Sequence, residues 1–292
     1  MGKIYDRKNK VFYEDKQYGG KALKFLYGNV LGRFILKTFI AGKWYSRFNA
    51  KRNSTKKSAE KIASFVEEYG IVLSDFEERE FSSFSDFFIR KLKDGKRDFS
   101  LNKNDFIAVA DSKMLCYEIT DDGKIPIKNS VYTASEIVGE ELTDDFYGGY
   151  CIVLRLTVDD YHRYCFFDDG KIIRRRYIDG KLHTVSPISA KRYKVFSENC
   201  REVSYIETEN FGDCYQVEIG ALLVGKIVNH PVENFRKGEE KGYFEMGGST
   251  IVLMLKKDVI KIDEDILNNS NNEIETKVLI GERIGEKNAE KA

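Results

Sequence analysis

The sequence predicts an α+β fold: an N-terminal helical segment, basic and amphipathic, followed by a predominantly β domain that is barrel-like, closed or partly closed. Three observations predict it. Apolar residues recur at helical spacing from Lys21 to Phe48 and again from Ser58 to Tyr69. Beyond Phe106 the pattern changes to short β-prone runs, punctuated by Gly170, Gly180, Gly212, Gly220 and Gly225. The chain has only 3 prolines, so no Pro-rich linker divides it. The change of pattern places the boundary near residue 100, giving a helical region over 1–100 and a β-rich domain over 101–292.

Composition limits the function classes. The 292 residues are 42% apolar and 13% aromatic, as in a folded chain. The 5 cysteines (Cys116, Cys151, Cys165, Cys200, Cys214) form no CxxC pair and no metal-ligand spacing, which fits free thiols in a reducing cytosol. The net charge of +1 hides an asymmetry. From Lys16 to Ala59 there are eleven Lys or Arg and no Asp or Glu, so that segment is +11 and the rest −10. Such a split points to an anionic partner.

In chain order, residues 1–18 read as a short extended or irregular lead. Asp6 stands where a myristoylation signal needs Ser or Thr. Leu23, Leu26, Tyr27, Val30, Leu31, Phe34, Ile35, Phe39, Ile40, Trp44, Tyr45 and Phe48 make an interrupted helical stripe with basic residues interleaved, broken near Gly28, Gly32 or Gly42. No run reaches the ~18 apolar residues needed to span a bilayer. The stripe suits either a core helix pair or a segment lying on an anionic membrane, with Trp44 and Tyr45 at the headgroups. Each Lys or Arg near such a surface contributes about 1 kcal/mol. So many large aliphatic and aromatic side chains argue against nucleic acid. Ser58 to Tyr69 is a second helix, ended by Gly70. Ser83 or Ser85 is placed to cap a short helix within Phe81–Lys93. Strands are expected at 106–110, 113–119, 150–158, 171–178, 192–197, 201–208, 213–219, 221–228, 250–256 and 274–281, with one helix near Thr133–Val138 and an Asn-rich loop at Asn268–Asn272.

Three stretches can carry chemistry. Asp111 ends an apolar strand. Asp159-Asp160-Tyr161-His162-Arg163-Tyr164-Cys165 sets an imidazole beside carboxylates, a plausible tuned base or a solvated loop. Gly247-Gly248-Ser249-Thr250 precedes a β-prone run; alone it reads as a tight turn, yet a serine there can attack the neighbouring carbonyl if a base is near.

Together these stretches resemble the phosphatidylserine decarboxylase proenzymes. Phe87-Phe88-Ile89-Arg90-Lys91-Leu92-Lys93 is similar to the family's FFxRxLK signature. Ala110-Asp111 resembles its PADG element, with Val109 and Ser112 at the outer positions, and Asp160-Tyr161-His162-Arg163 its DYHR element. Phe196-Ser197-Glu198-Asn199-Cys200-Arg201 resembles FxxNER, with Cys200 for the Glu. Val217 to Ile227 resembles VGAxxVGxI, and Lys237 to Phe244 followed by Gly248-Ser249-Thr250 resembles KGxExGxF and the GST processing element.

The resemblance implies self-cleavage between Gly248 and Ser249, into a large chain 1–248 and a small chain 249–292. Ser249 would attack the Gly248 carbonyl, and β-elimination would leave a covalent pyruvoyl group as cofactor, with no metal. It implies a carboxy-lyase that converts phosphatidylserine to phosphatidylethanolamine and CO2 through a Schiff base. Such an enzyme would sit peripherally on the cytoplasmic side of the cell membrane, as two associated cleaved chains; a homodimer is compatible with this. Asp111, His162 and Ser249 carry over as catalytic residues. The family's second histidine, three residues after the first, is Cys165 here. His162 doing both jobs is the favoured replacement. His183 or His230, or a Cys165 thiolate, are the others. Three further readings stay open: a pyruvoyl decarboxylase of a soluble amino acid, an uncleaved membrane-surface binding protein of the same fold, and a Ser-His-Asp hydrolase, although no GxSxG elbow is present.

Overall fold

A computed structural model describes residues 2–15, 20–127, 130–185, 187–190, 192–223, 226–247 and 249–289. Its organising feature is a 10-stranded sheet. From edge to edge the strands are Asn234–Phe235, Gly170–Ile178, Arg201–Thr208, Gly212–Gly220, Ser249–Leu255, Tyr150–Leu156, Ser112–Glu118, Glu275–Val278, Lys3–Asp6 and Val11–Glu14. Neighbours are antiparallel except Lys3–Asp6, which runs parallel to Glu275–Val278.

The sheet is buried on both faces at its centre. Ile152, Leu154 and Leu156 pack into one apolar cluster, and Cys151 and Val153 into another on the opposite face, as the period-2 alternation of a strand requires. This explains why the strand Ser249–Leu255 reads STIVLML: all seven residues are buried, so no polar face is needed. A three-stranded sheet of Ile227–Asn229, Glu240–Phe244 and Arg163–Cys165 lies over the first face. The short helices Ala134–Val138 and Val195–Glu198 cover the other.

The expected barrel is not what forms. The sheet stays open, with Asn234–Phe235 at one edge and Val11–Glu14 at the other. Both edges are short, and the penultimate strand Gly170–Ile178 carries Arg174, Arg175 and Arg176, a composition that discourages further pairing. The lead, expected as extended or irregular, supplies two strands. Asp6 anchors them: it accepts the Asn9 backbone N–H at 2.9 Å and a Lys277 Nζ contact at 3.1 Å. Thus the first residues of the chain belong to the same sheet as the late strand Glu275–Val278.

The N-terminal helices are Gly20–Gly28, Val30–Ile35 and Lys43–Asn53, with a π-helical turn Leu36–Ile40 between the last two. Asn29 caps the second, accepting the Gly32 N–H at 2.7 Å. Gly32 is needed for the close approach of the first two helices: a Cβ there would lie 2.0 Å from the Phe25 carbonyl oxygen. Tyr27, Leu36 and Ala41 are buried, with Ile188 and Tyr193 packed against them, while Val30, Leu31, Phe34, Phe39, Trp44 and Phe48 face outward. No helix among the described residues is long and apolar enough to cross a membrane.

The capping signals hold. Gly70 ends the helix Lys61–Tyr69 in the left-handed region at φ 63, Ser83 caps Phe84–Phe88, and Thr133 with Glu136 forms a capping box. Residues 192–197 do not make a strand: Val195–Glu198 is a helical turn, its start satisfied by the Glu198 carboxylate accepting the Lys194 N–H. Of the expected strand 221–228 only the end belongs to one, Ile227–Asn229, and residues 224–225 lie outside the described residues. The Asn-rich loop is mostly the second half of the helix Glu264–Asn271.

Candidate active site

Sheet register brings the three chemical stretches to one end of the sheet. Ser249 opens its strand, paired with Gly220 on one side and Leu156 on the other. The 159–165 stretch follows directly from Leu156. Lys113 pairs with Arg155, so Ser112, and Asp111 before it, stand at that same end, two strands from Ser249.

The turn after Leu156 is fixed by its own polar groups. The Asp160 carboxylate accepts the Thr157 N–H at 2.7 Å and Lys113 Nζ at 2.6 and 2.7 Å. Burial pushes this carboxyl up to about 6, against the pull of Lys113. The Asp160 carbonyl in turn accepts a hydrogen bond of 2.9 Å from His162 Nδ1. A carbonyl can only accept, so the neutral ring carries its proton on Nδ1, and Nε2 presents a lone pair. Nε2 has no partner among the described residues.

His162 is buried, with its ring 4.3 Å from that of Phe88. Desolvation lowers its pKa to about 4; Arg90 nearby adds to this, while the Asp160 carbonyl and the Gly247 backbone act in the opposite direction. His162 is therefore neutral at pH 7 and close to the residues that precede Ser249. Arg90 lies between the faces of Phe76 and Phe87, 4.5 and 4.6 Å from their centroids.

Ser249 is fully buried and its Oγ has no hydrogen-bond partner among the described residues. An unsatisfied buried hydroxyl is rare and costs free energy, so its retention needs a reason. Gly247, two residues earlier, has φ 137, a conformation other residues avoid. Gly248 lies outside the described residues.

Asp111 is placed at this end but is otherwise engaged. Its carboxylate accepts Arg97 Nη2 at 2.7 Å, Arg97 Nε at 3.3 Å and the Ile280 N–H at 2.8 Å. No described hydrogen bond joins it to His162 or Ser249. His183 sits in a separate cluster, its ring stacked 4.1 Å from Tyr193, with Nδ1 3.5 Å from the Tyr27 hydroxyl. His230 pairs with Glu240 at 2.7 Å on the small sheet. The Cys165 thiol is buried, and desolvation raises its pKa, so it stays protonated.

Sequence reasoning assigned no role to Asn199. Its amide donates to the carbonyls of His183 and Gly220, both at 2.8 Å, and accepts the His183 N–H at 3.0 Å. It thereby pins the residue paired with Ser249. Its place in the FxxNER-like element was the available signal.

Known proteins resemble the chain over nearly its whole length. A sequence model of the phosphatidylserine decarboxylase family matches residues 84–286. A protein of Clostridium acetobutylicum named phosphatidylserine decarboxylase proenzyme 2 is 54% identical over 286 residues, 98% of each chain. Phosphatidylserine decarboxylase proenzymes of Clostridium botulinum and Fusobacterium nucleatum are each 40% identical, covering 98% and 97% of this chain and 99% and 97% of their own. Relatives of these names, matched over nearly the whole chain, define a carboxy-lyase. The chain belongs to the phosphatidylserine decarboxylase family.

Proposed function

We propose that the chain converts phosphatidylserine to phosphatidylethanolamine and CO2 at an anionic membrane surface, using a pyruvoyl group made from Ser249 by cleavage of the Gly248–Ser249 bond. Family membership supports the reaction. The observation that carries the cleavage is the buried, unpartnered Ser249 Oγ two residues after Gly247 at φ 137. A hydroxyl without a competing hydrogen bond, beside a backbone free of Cβ crowding, is suited to attack the preceding carbonyl. Once formed, the pyruvoyl group supplies the electron sink that decarboxylation needs.

In this reading His162 moves a proton at Ser249, since its Nε2 is unprotonated at pH 7 and unpartnered. Asp111 contributes the fixed negative charge at this sheet end, balanced by Arg97. The exposed apolar residues of the N-terminal helices, flanked by Lys24, Lys37, Arg47, Lys51 and Arg52, form the lipid-facing surface. A substrate carried in a bilayer favours this reading over a soluble amino acid, which would leave that surface without a task.

The test is the intact mass of the purified protein. Two fragments are expected, the smaller about 5 kDa for 44 residues of ordinary composition and bearing a pyruvoyl N-terminus. Ser249→Ala should stay a single chain without decarboxylase activity. An active wild-type protein of full-length mass would overturn the proposal.

A further inference from the structure

Self-cleavage, on the reading above, needs two proton abstractions: one from Ser249 Oγ–H when the ester forms, one from Ser249 Cα–H when it eliminates. His162 is one proton-transfer group. A second lies inside the protein. Glu218 and Lys241 are both fully buried, with Lys241 Nζ 2.6 Å from Glu218 Oε2. Asn229 Nδ2 donates to the same Oε2 at 3.1 Å, and Asn229 Oδ1 accepts the Tyr164 hydroxyl at 3.1 Å and contacts Lys241 Nζ at 3.4 Å. All the partners are on Oε2. Glu218 Oε1 is buried and has none among the described residues.

Glu218 is a cross-strand neighbour of the serine. It pairs with Ile251, while Gly220 pairs with Ser249. Residues 249 and 251 project from the same face of their strand, so Ser249 and Glu218 are diagonal partners on one face, with Cα atoms about 7–8 Å apart. Each ends in an oxygen with no partner, one a donor and the other an acceptor. A hydrogen bond between them would satisfy both, and catalytic hydrogen bonds commonly tighten only in the reacting state.

We propose that Glu218 Oε1 accepts the Ser249 Oγ–H proton in the first step of self-cleavage, with Lys241 holding the carboxylate ionised and in place. The Oγ–carbonyl bond forms at Gly248, the Gly248–Ser249 C–N bond breaks, and the departing Ser249 amine takes the proton back from Glu218. The step is a neutral amide-to-ester isomerisation. His162 then serves the elimination: it takes the Cα proton as the Cβ–Oγ bond breaks and Gly248 leaves as a carboxylate. Burial raises the Glu218 pKa, with Lys241 and Asn229 opposing it and Glu202 adding to it, so this carboxylate is a stronger base than an exposed one. The proposal rests on Ser249 being the cleaved serine.

The test is the double variant Glu218→Leu/Lys241→Met. Replacing a buried ion pair by apolar residues of similar volume is commonly tolerated, so the chain should keep its circular dichroism and thermal midpoint. It should cleave about 100-fold slower or worse. Glu218→Gln, closer in shape, should behave alike. Hydroxylamine separates the two steps. His162→Ala should accumulate ester, released as a fragment with an N-terminal serine, whereas the Glu218 variants should give none. A folded double variant that cleaves within twofold of wild type would overturn the proposal. So would loss of the fold in both Glu218 variants, which would make the pair structural. A wild-type chain that never cleaves would instead refute the reading beneath it.

Discussion

The end of the main sheet and the N-terminal helices break opposite rules. At Ser249 and His162 the interior keeps polar atoms with no partners among the described residues; at Leu31, Phe34 and Trp44 the surface keeps apolar side chains in water. Each is costly in the isolated chain. The difference lies in what removes the cost. On the proposed reading the buried hydroxyl is relieved by a reaction, which happens once and within one molecule. The apolar surface, on the same reading, is relieved by contact, which is reversible and depends on what is nearby.

The largest expected effect breaks the first half of this comparison alone. His162→Ala should slow release of the small fragment about 10²–10⁴-fold, the usual contribution of a general base, and leave vesicle binding unchanged. Fragment appearance over time on a denaturing gel measures the first, vesicle co-sedimentation the second. Next is Asn199→Ala. It strips the Gly220 and His183 carbonyls of a buried donor, at about 1–3 kcal/mol for each group left unsatisfied. A lower thermal midpoint and slower cleavage should appear together; an unchanged midpoint would show that Asn199 does not support the strand beside Ser249.

The other half is tested by Leu31→Ser/Phe34→Ser/Trp44→Ser. Binding to vesicles containing phosphatidylserine should fall at least tenfold, while cleavage and thermal midpoint stay within error, because these side chains are already exposed. Unchanged binding would mean that this face docks nothing. The smallest effect is with acid. His162 and His183 both have pKa values lowered to about 4 by burial, so the folded chain binds fewer protons there than the unfolded one. Their contribution to stability is full above about 6.5 and is lost as the pH falls through about 4. Asp160, raised to about 6, works the other way over much of this window. The cleanest readout is therefore the imidazole C–H signals in NMR, which should titrate near 4 for these two histidines.

What the sequence revealed followed from local chemistry. Gly70, and Ser83 as one of the two candidate caps, are read correctly because a cap depends on a residue and its near neighbours. Most strands of the main sheet are legible from apolar runs. The open sheet is not, because closure depends on which strands form the edges. The strands Arg163–Cys165 and Glu240–Phe244 escape notice because Arg163 and Lys241 interrupt their apolar pattern. Ser249 and His162 were legible through resemblance. Glu218 was not, since it sits inside a run that reads as an ordinary strand. Its signal was a charge at an inward position with a lysine at another, meaningful only once the fold makes them neighbours.

The interleaving of strands has a kinetic consequence. Ser249–Leu255 lies between Gly212–Gly220 and Tyr150–Leu156, and Glu275–Val278 lies between Ser112–Glu118 and Lys3–Asp6. Arg7 also grips Asp263 and Asp265 at 2.5 and 2.7 Å. If the bond before Ser249 opens, these two strands of the small chain remain walled in by strands of the large one. The two chains then cannot part like ordinary subunits, by dilution. Their separation would require dismantling the sheet, so the lifetime of the pair is set by the unfolding rate and is independent of concentration.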